Sequence, residues 1–292
     1  MILGLTTEYL WGPIETEKMI NEGLVCNGFK IMKDIENDFA LGNYELTCWM
    51  PQQGIDGIKK YLSQNPTTKI ISVHAYAPLK ENFSLGNHPA DAYNLSSCNP
   101  EKRKLALEGL KKTINLASKL NAENIVIHAG FKERNKGRKE NLVSMINSIE
   151  TASDYINKKG YNIKLGIENG LYPNQIFVNP EEINQIKEFY PKVGLWFDIG
   201  HANVNSSSDV YDIAQRCDEI IIGCHIHNNN GKKDLHASLQ YGNINLKKAL
   251  TPLQNKIETE QIPLILELYH FRTFSSKEDV LKSINILKNT FK

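Results

Sequence analysis

The chain has 292 residues, 23% of them charged and 41% hydrophobic, with a formal net charge of +1. That length buries a sizeable core, the composition is that of a soluble globular protein, and the near-neutral balance does not by itself point to nucleic acid. Five cysteines without a C-x-x-C pair, no basic leader in MILGLTTEYLWG, and no apolar window near the ~18 residues of a membrane span indicate a cytoplasmic chain with reduced thiols and no membrane partner.

Short apolar runs rich in β-branched residues punctuate the chain. The first is MILGL (1–5), and two candidates follow for the second, GFKIM (28–32) and YELTCWM (44–50). Next come KIISV (69–73), NIVIHAG (124–130), IKLGIEN (163–169), VGLWFDI (193–199), EIIIGCHIH (219–227) and IPLILELY (262–269). Nearly continuous runs of this kind suit parallel strands buried on both faces.

Helical patterns lie between them. In 100–120, Leu107, Leu110, Ile114, Ala117 and Leu120 recur at helical spacing opposite lysines. Asn179 followed by Pro180 and two glutamates opens another helix, and Ser275 or Ser276 caps the last. Strand–helix alternation with eight strands predicts a single-domain (β/α)8 TIM barrel over 1–292, with its active site at the C-terminal face of the strands. The alternative, a doubly wound open sheet, lacks a G-x-G-x-x-G turn after any strand.

The strand ends carry the chemistry. Runs three to eight end in or near His74, His128, Glu168, Asp198 with His201, His225 with His227, and Glu267. The loop after the seventh adds Asp234 and His236. Any one of these has a plainer reading: a lone histidine after a strand is usually a hydrogen-bonded rim residue, and a terminal carboxylate often caps the next helix. Together, carboxylates behind apolar strands are costly unless paired or metal-bound, and imidazole with carboxylate suits zinc, manganese or iron.

These residues, with YNLSSCNPEKRKLALEGL after His74, VGLWFDIGHAN, HIHNN…DLHASLQYGNI and PLILEL, resemble the endonuclease IV and xylose isomerase-like barrel superfamily over roughly 70–270. The resemblance implies a trinuclear zinc site in which His74, His128 and Glu168 hold one ion. Glu168 bridges to a second, shared with Asp198, His225 and Glu267, and His201, Asp234 and His236 hold the third. It implies two or three zinc ions, with manganese or magnesium as alternatives, and catalysis by Glu168, Glu267 and His201.

Two activities follow from the resemblance. One is metal-assisted hydrolysis of a phosphate-containing substrate, such as damaged DNA at an abasic site in DNA repair. Lys132, Arg134, Lys136, Arg138 and Lys139 after His128 are candidate phosphate contacts, with His227 and Tyr76 as further substrate-binding residues. The other is isomerisation or epimerisation of a small sugar or sugar phosphate, which needs only Glu168, Asp198, His225 and Glu267 around one metal, with Glu168 and Glu267 as the acid/base pair. The chain departs from endonuclease IV in placing Glu8 where a Gly-Gly turn is usual, in reading His74-Ala75-Tyr76-Ala77 for HAPY, and in inserting 79–93, a candidate lid. A barrel that only binds would be expected to lack a ligand, and none of the nine is missing.

Overall fold

The structure is a computed structural model that describes residues 1–80, 83, 88–91, 93–205, 209–269 and 275–291. Eight parallel strands close into a barrel in sequence order: β1 (Ile2–Thr6), β2 (Asn43–Leu46), β3 (Lys69–His74), β4 (Asn124–His128), β5 (Lys164–Glu168), β6 (Val193–Asp198), β7 (Ile221–Ile226) and β8 (Pro263–Leu266). β8 pairs back onto β1, Leu5 opposite Leu266. Among the described residues ten α-helices occupy the connections: α1 (Pro13–Glu22), α2 (Gly28–Phe39), α3 (Gln52–Gln64), α4 (Pro100–Lys119), α5 (Arg138–Lys159), α6 (Pro180–Ile183), α7 (Ile199–Val204), α8 (Val210–Arg216), α9 (Leu246–Leu250) and α10 (Lys277–Thr290).

The choice left open for the second strand falls on Asn43–Leu46, inside YELTCWM and its flank. GFKIM instead starts α2. Asn27 caps it, its side chain accepting from the Lys30 N–H at 3.0 Å. Ile31, Met32, Ile35 and Phe39 then form one buried face, a helical and not an alternating pattern. Gly28 lets α2 press against α3, because a Cβ there would sit 1.8 Å from the Gly54 carbonyl oxygen.

Caps elsewhere follow the sequence. Asn179 accepts from the Glu182 N–H at 3.0 Å, and of the two candidate serines Ser276 forms a capping box with Asp279.

The bore of the barrel is filled at its centre by Trp196, fully buried with Val126, Ile222 and Ile265. Room for the indole comes from Gly166 on β5 and Gly223 on β7, where a Cβ would lie 2.9 and 2.3 Å from it. Above this layer the strands release their last residues toward the C-terminal face. His74, His128, Glu168 and Asp198 end their strands, His225 sits one residue before the end of β7, and Glu267 one after β8. Among the described residues no helix is long and apolar enough to cross a membrane, and no disulfide joins any of the five cysteines.

Candidate metal centre

Glu168 lies at the middle of the cluster. Its Oε2 is 2.9 Å from His128 Nε2 and 3.8 Å from His74 Nε2, while Oε1 is 2.7 Å from His225 Nδ1 and 3.9 Å from His201 Nδ1. His225 Nδ1 also faces Glu267 at 3.4 Å and Asp198 at 3.7 Å. Asp234 stands 2.7 Å from His236 Nε2 and 3.6 Å from His201 Nε2. All nine residues singled out by resemblance therefore meet in one continuous cluster. Within it, His74–His128–Glu168 and His201–Asp234–His236 each bring one ligand atom per residue to within 4.8 Å of the others.

Asp198 also satisfies the plain reading of a strand-ending carboxylate. Its Oδ1 caps α7, accepting from the His201 N–H at 2.6 Å, and the cap carries His201 into the cluster on the first turn of that helix. The asparagines of the β7 loop are scaffold. Asn228 pairs with Ala237 backbone to backbone at 2.8 and 3.0 Å, and its side-chain oxygen takes the N–H groups of Asn229 and Ile244. His236 adopts a left-handed φ of 45°, a conformation an L-residue takes at a cost and one that turns its ring toward Asp234.

Each of the five histidines expected as ligands has the nitrogen away from the cluster held by an acceptor. His74 Nδ1 lies 3.0 Å from the Ala75 carbonyl, His201 Nδ1 3.3 Å from that of Asn169, and His236 Nδ1 3.1 Å from that of Glu267. A carbonyl only accepts, so each Nδ1 carries the proton, and Nε2 is the nitrogen turned toward the cluster. His225 reverses the nitrogens, with Nε2 donating to Glu45 Oε1 at 2.9 Å and Nδ1 facing inward. His128 Nδ1 donates to Asp91 at 2.8 Å.

Titration reflects this crowding. Burial opposes the imidazolium of His128, but Asp91 and Glu168 outweigh it and hold its pKa at about 10. Burial likewise opposes the carboxylate of Asp198, but His201 and His227 outweigh it and bring it to about 2. Burial drives Glu267 well above the carboxylate range and raises Glu8 to about 7. The cluster lines a cleft of about 240 Å³ that Glu8, Trp49, Tyr172 and Tyr269 help to wall.

A divalent cation fits this donor set on a feature of the cluster itself. Among the described residues Glu267 Oε2 is buried without a hydrogen-bond partner, with His225 Nδ1 and His236 Nδ1 facing it at 3.4 and 3.5 Å, as expected of a carboxylate oxygen that would meet a metal.

Other expected contacts lie elsewhere. Tyr76 turns from the cleft to pack on Gly109 and Tyr93, its ring 4.7 Å from that of Tyr93, because it follows β3 on the side facing α4. His227 is fully buried, with Nε2 3.1 Å from Asp198, and does not line the cleft. Lys132 and Arg134 are exposed and outside the cleft lining. Arg138 begins α5 and is committed to Glu182 and to the Pro173 and Gln175 carbonyls, so it is a structural residue. Of the 79–93 segment, residues 81–82, 84–87 and 92 fall outside the described residues, and the lid reading with them.

The sequence reading missed Glu45 and the pair His88 and Asp91; Glu8, which it singled out where a Gly-Gly turn is usual, is a wall of the cleft. Glu45 is the last residue but one of β2 and, like His225 on β7, follows the same end-of-strand rule as the others. It went unread because the second strand was unassigned. His88 and Asp91 lie in an insertion with no periodicity to place them.

The family pattern described as xylose isomerase-like TIM barrel matches residues 39–290. The chain belongs to that family. Family members are enzymes of isomerase, epimerase or endonuclease IV-like kinds that typically bind divalent metals. An uncharacterised protein of Methanocaldococcus jannaschii is 34% identical over 57% of this chain and 58% of its own length. A protein named "Probable endonuclease 4" of Pediococcus pentosaceus is 31% identical over 58% of this chain and 60% of its own length. The chain thus matches about three fifths of the length of these relatives. A solved structure, of a D-tagatose 3-epimerase-like protein, superposes with a TM-score of 0.72 at 23% identity, covering 99% of this chain and 97% of that one. That likeness is one of fold.

Proposed function

We propose that this member of the xylose isomerase-like TIM-barrel family is a cytoplasmic, divalent-metal-dependent phosphoesterase of the endonuclease IV kind. One observation carries the reading: His201, Asp234 and His236 converge beside the inner carboxylates, a third ligand group that single-metal sugar chemistry does not need. His74, His128 and Glu168 would hold one ion. Asp198, His225 and Glu267 would hold a second with Glu168, whose two oxygens already face opposite sides of the cluster. His201, Asp234 and His236 would hold the third. Bound zinc supplies Lewis acidity toward a phosphoryl oxygen. The protein's own part is positional. The Asp198 cap sets His201, and the Asn228 scaffold sets Asp234 and His236.

The alternative is epimerisation or isomerisation of a small sugar or sugar phosphate, with Glu168 and Glu267 as acid and base. The small cleft with a buried carboxyl, Glu8, at its wall favours it. A neutral carboxyl donates a hydrogen bond to a hydroxyl, whereas an ionised one repels phosphate.

Metal content per chain, measured on protein purified without chelators, separates the two. Two or three zinc ions, with cleavage of abasic-site DNA that His201→Ala abolishes, is the expected result. A single ion, turnover of a ketose panel, and His201→Ala cleaving DNA at the wild-type rate would sink the phosphoesterase reading.

A further inference from the structure

Each of the five ring systems turned toward the cluster has its far nitrogen held, three of them by backbone carbonyls of the barrel rim. His128 is the exception in where its partner comes from. Asp91 belongs to the inserted 79–93 segment, not to the barrel strands. It ends a single 3-10 turn, Pro89–Asp91, closed by the Asp91 N–H donating to the His88 carbonyl at 3.0 Å. That turn directs both flanking side chains at one ring. Asp91 Oδ1 takes the His128 Nδ1 proton at 2.8 Å, and His88 stacks on the ring face with centroids 5.6 Å apart and planes 9° from parallel. The opposite nitrogen, Nε2, then points at Glu168 from 2.9 Å.

We propose that Asp91 is the positioning residue for His128, and that the inserted segment thereby tunes metal affinity at the position held by His74, His128 and Glu168. The proposal rests on the metal-centre reading above. Its physical basis is that a ligating imidazole is fixed in tautomer and orientation by what its other nitrogen donates to, and a carboxylate there also raises the basicity of the ligating nitrogen. A hydrogen bond fixes rotation about the ring's long axis and a stacked ring blocks tilting, so His88 and Asp91 together leave His128 one orientation. Since Asp91 itself is only half-buried, this position is the one whose outer partner the protein can withdraw without unpacking a strand.

The test is zinc titration of the full chain against a competing chelator, with Asp91→Ala, Asp91→Asn and His88→Ala beside wild type. In Asp91→Ala one zinc equivalent should weaken by about 10- to 100-fold while the others are unchanged. Asp91→Asn should fall between, because its amide oxygen still accepts the Nδ1 proton. His88→Ala should keep the wild-type stoichiometry. In zinc-loaded wild type, 15N spectra should show His128 protonated at Nδ1. Equal affinities for every equivalent in Asp91→Ala, or a proton on Nε2, overturns the proposal. Loss of a whole equivalent in both Asp91→Ala and His88→Ala also overturns it, since the two would then be direct ligands. Failure of wild type to bind zinc at all is a different result, and it removes the metal-centre reading instead.

Discussion

Glu8 shows how one buried residue couples the site to stability. It follows β1, is buried, and accepts a hydrogen bond from the Thr47 hydroxyl at 2.9 Å. Burial still dominates, lifting its pKa from 4.5 to about 7. Below pH 4.5 folded and unfolded chains both hold the proton, so Glu8 is neutral toward stability. Between 4.5 and 7 the unfolded chain releases it while the folded chain keeps it, so stability falls as pH rises. Above 7 the loss is complete. Glu8→Gln should therefore flatten the stability profile across this window, gaining on the order of 2–3 kcal/mol at pH 8 in the metal-free chain. Urea unfolding at pH 4.5 and pH 8 measures it, and a pH-independent difference between variant and wild type would contradict the assignment.

At the scale of elements, the decisive contact is that of α7 with the end of β7. Gly200, in the first turn of α7, has no side chain because His227 occupies the space, and a Cβ there would fall 1.9 Å from His227 Cε1. His227 in turn holds Asp198 through Nε2, so the glycine, the buried histidine and the capping carboxylate form one packed unit under the cluster. Gly200→Ala should force the ring aside at a cost of about 1–3 kcal/mol. It should also disturb Asp198, lowering the urea midpoint and weakening metal binding together. A stability loss with metal affinity untouched would mean that His227 serves packing alone. This unit also explains why His227, two residues beyond His225 and read as a substrate contact, faces inward: the strand has ended, and the chain turns it beneath α7.

At the scale of the molecule, the barrel gathers many ionisable side chains at one end. His225 meets Glu45, Glu168, Asp198 and Glu267 within 3.7 Å. A ligand that binds only the folded chain stabilises it by mass action, so zinc at ~100 times its dissociation constant should add about 2.7 kcal/mol, and more if several ions bind. Calorimetry with zinc and then with excess chelator should show the melting temperature rise and return. No shift in either direction would mean that the cluster is satisfied by its own ion pairs.

Much of this architecture is legible in the one-dimensional pattern, because parallel strands buried on both faces must be continuously apolar and barrel chemistry must sit where they stop. That logic places His74, His128, Glu168, Asp198, His225 and Glu267 without any structure, and the cap at Asn179 is equally local. It fails where identity depends on what lies across space. Whether GFKIM or YELTCWM pairs with the first strand turns on a helix cap and on Gly28 packing against Gly54, contacts between separate elements. Tyr76 and His227 stand just past strand ends and Arg138 opens α5, and the direction each side chain takes is set by the neighbouring helices, which sequence position alone does not give. Glu45 and Asp91 reach their histidines across 180 and 37 residues. The sequence by itself determined seven of the eight strands and the donor types gathered at their ends, since burial and donor chemistry are properties of each residue and its near neighbours. Only the tertiary structure decided which nitrogen of each histidine faces the cluster, because that depends on the acceptor that closure of the barrel brings to the ring's other side.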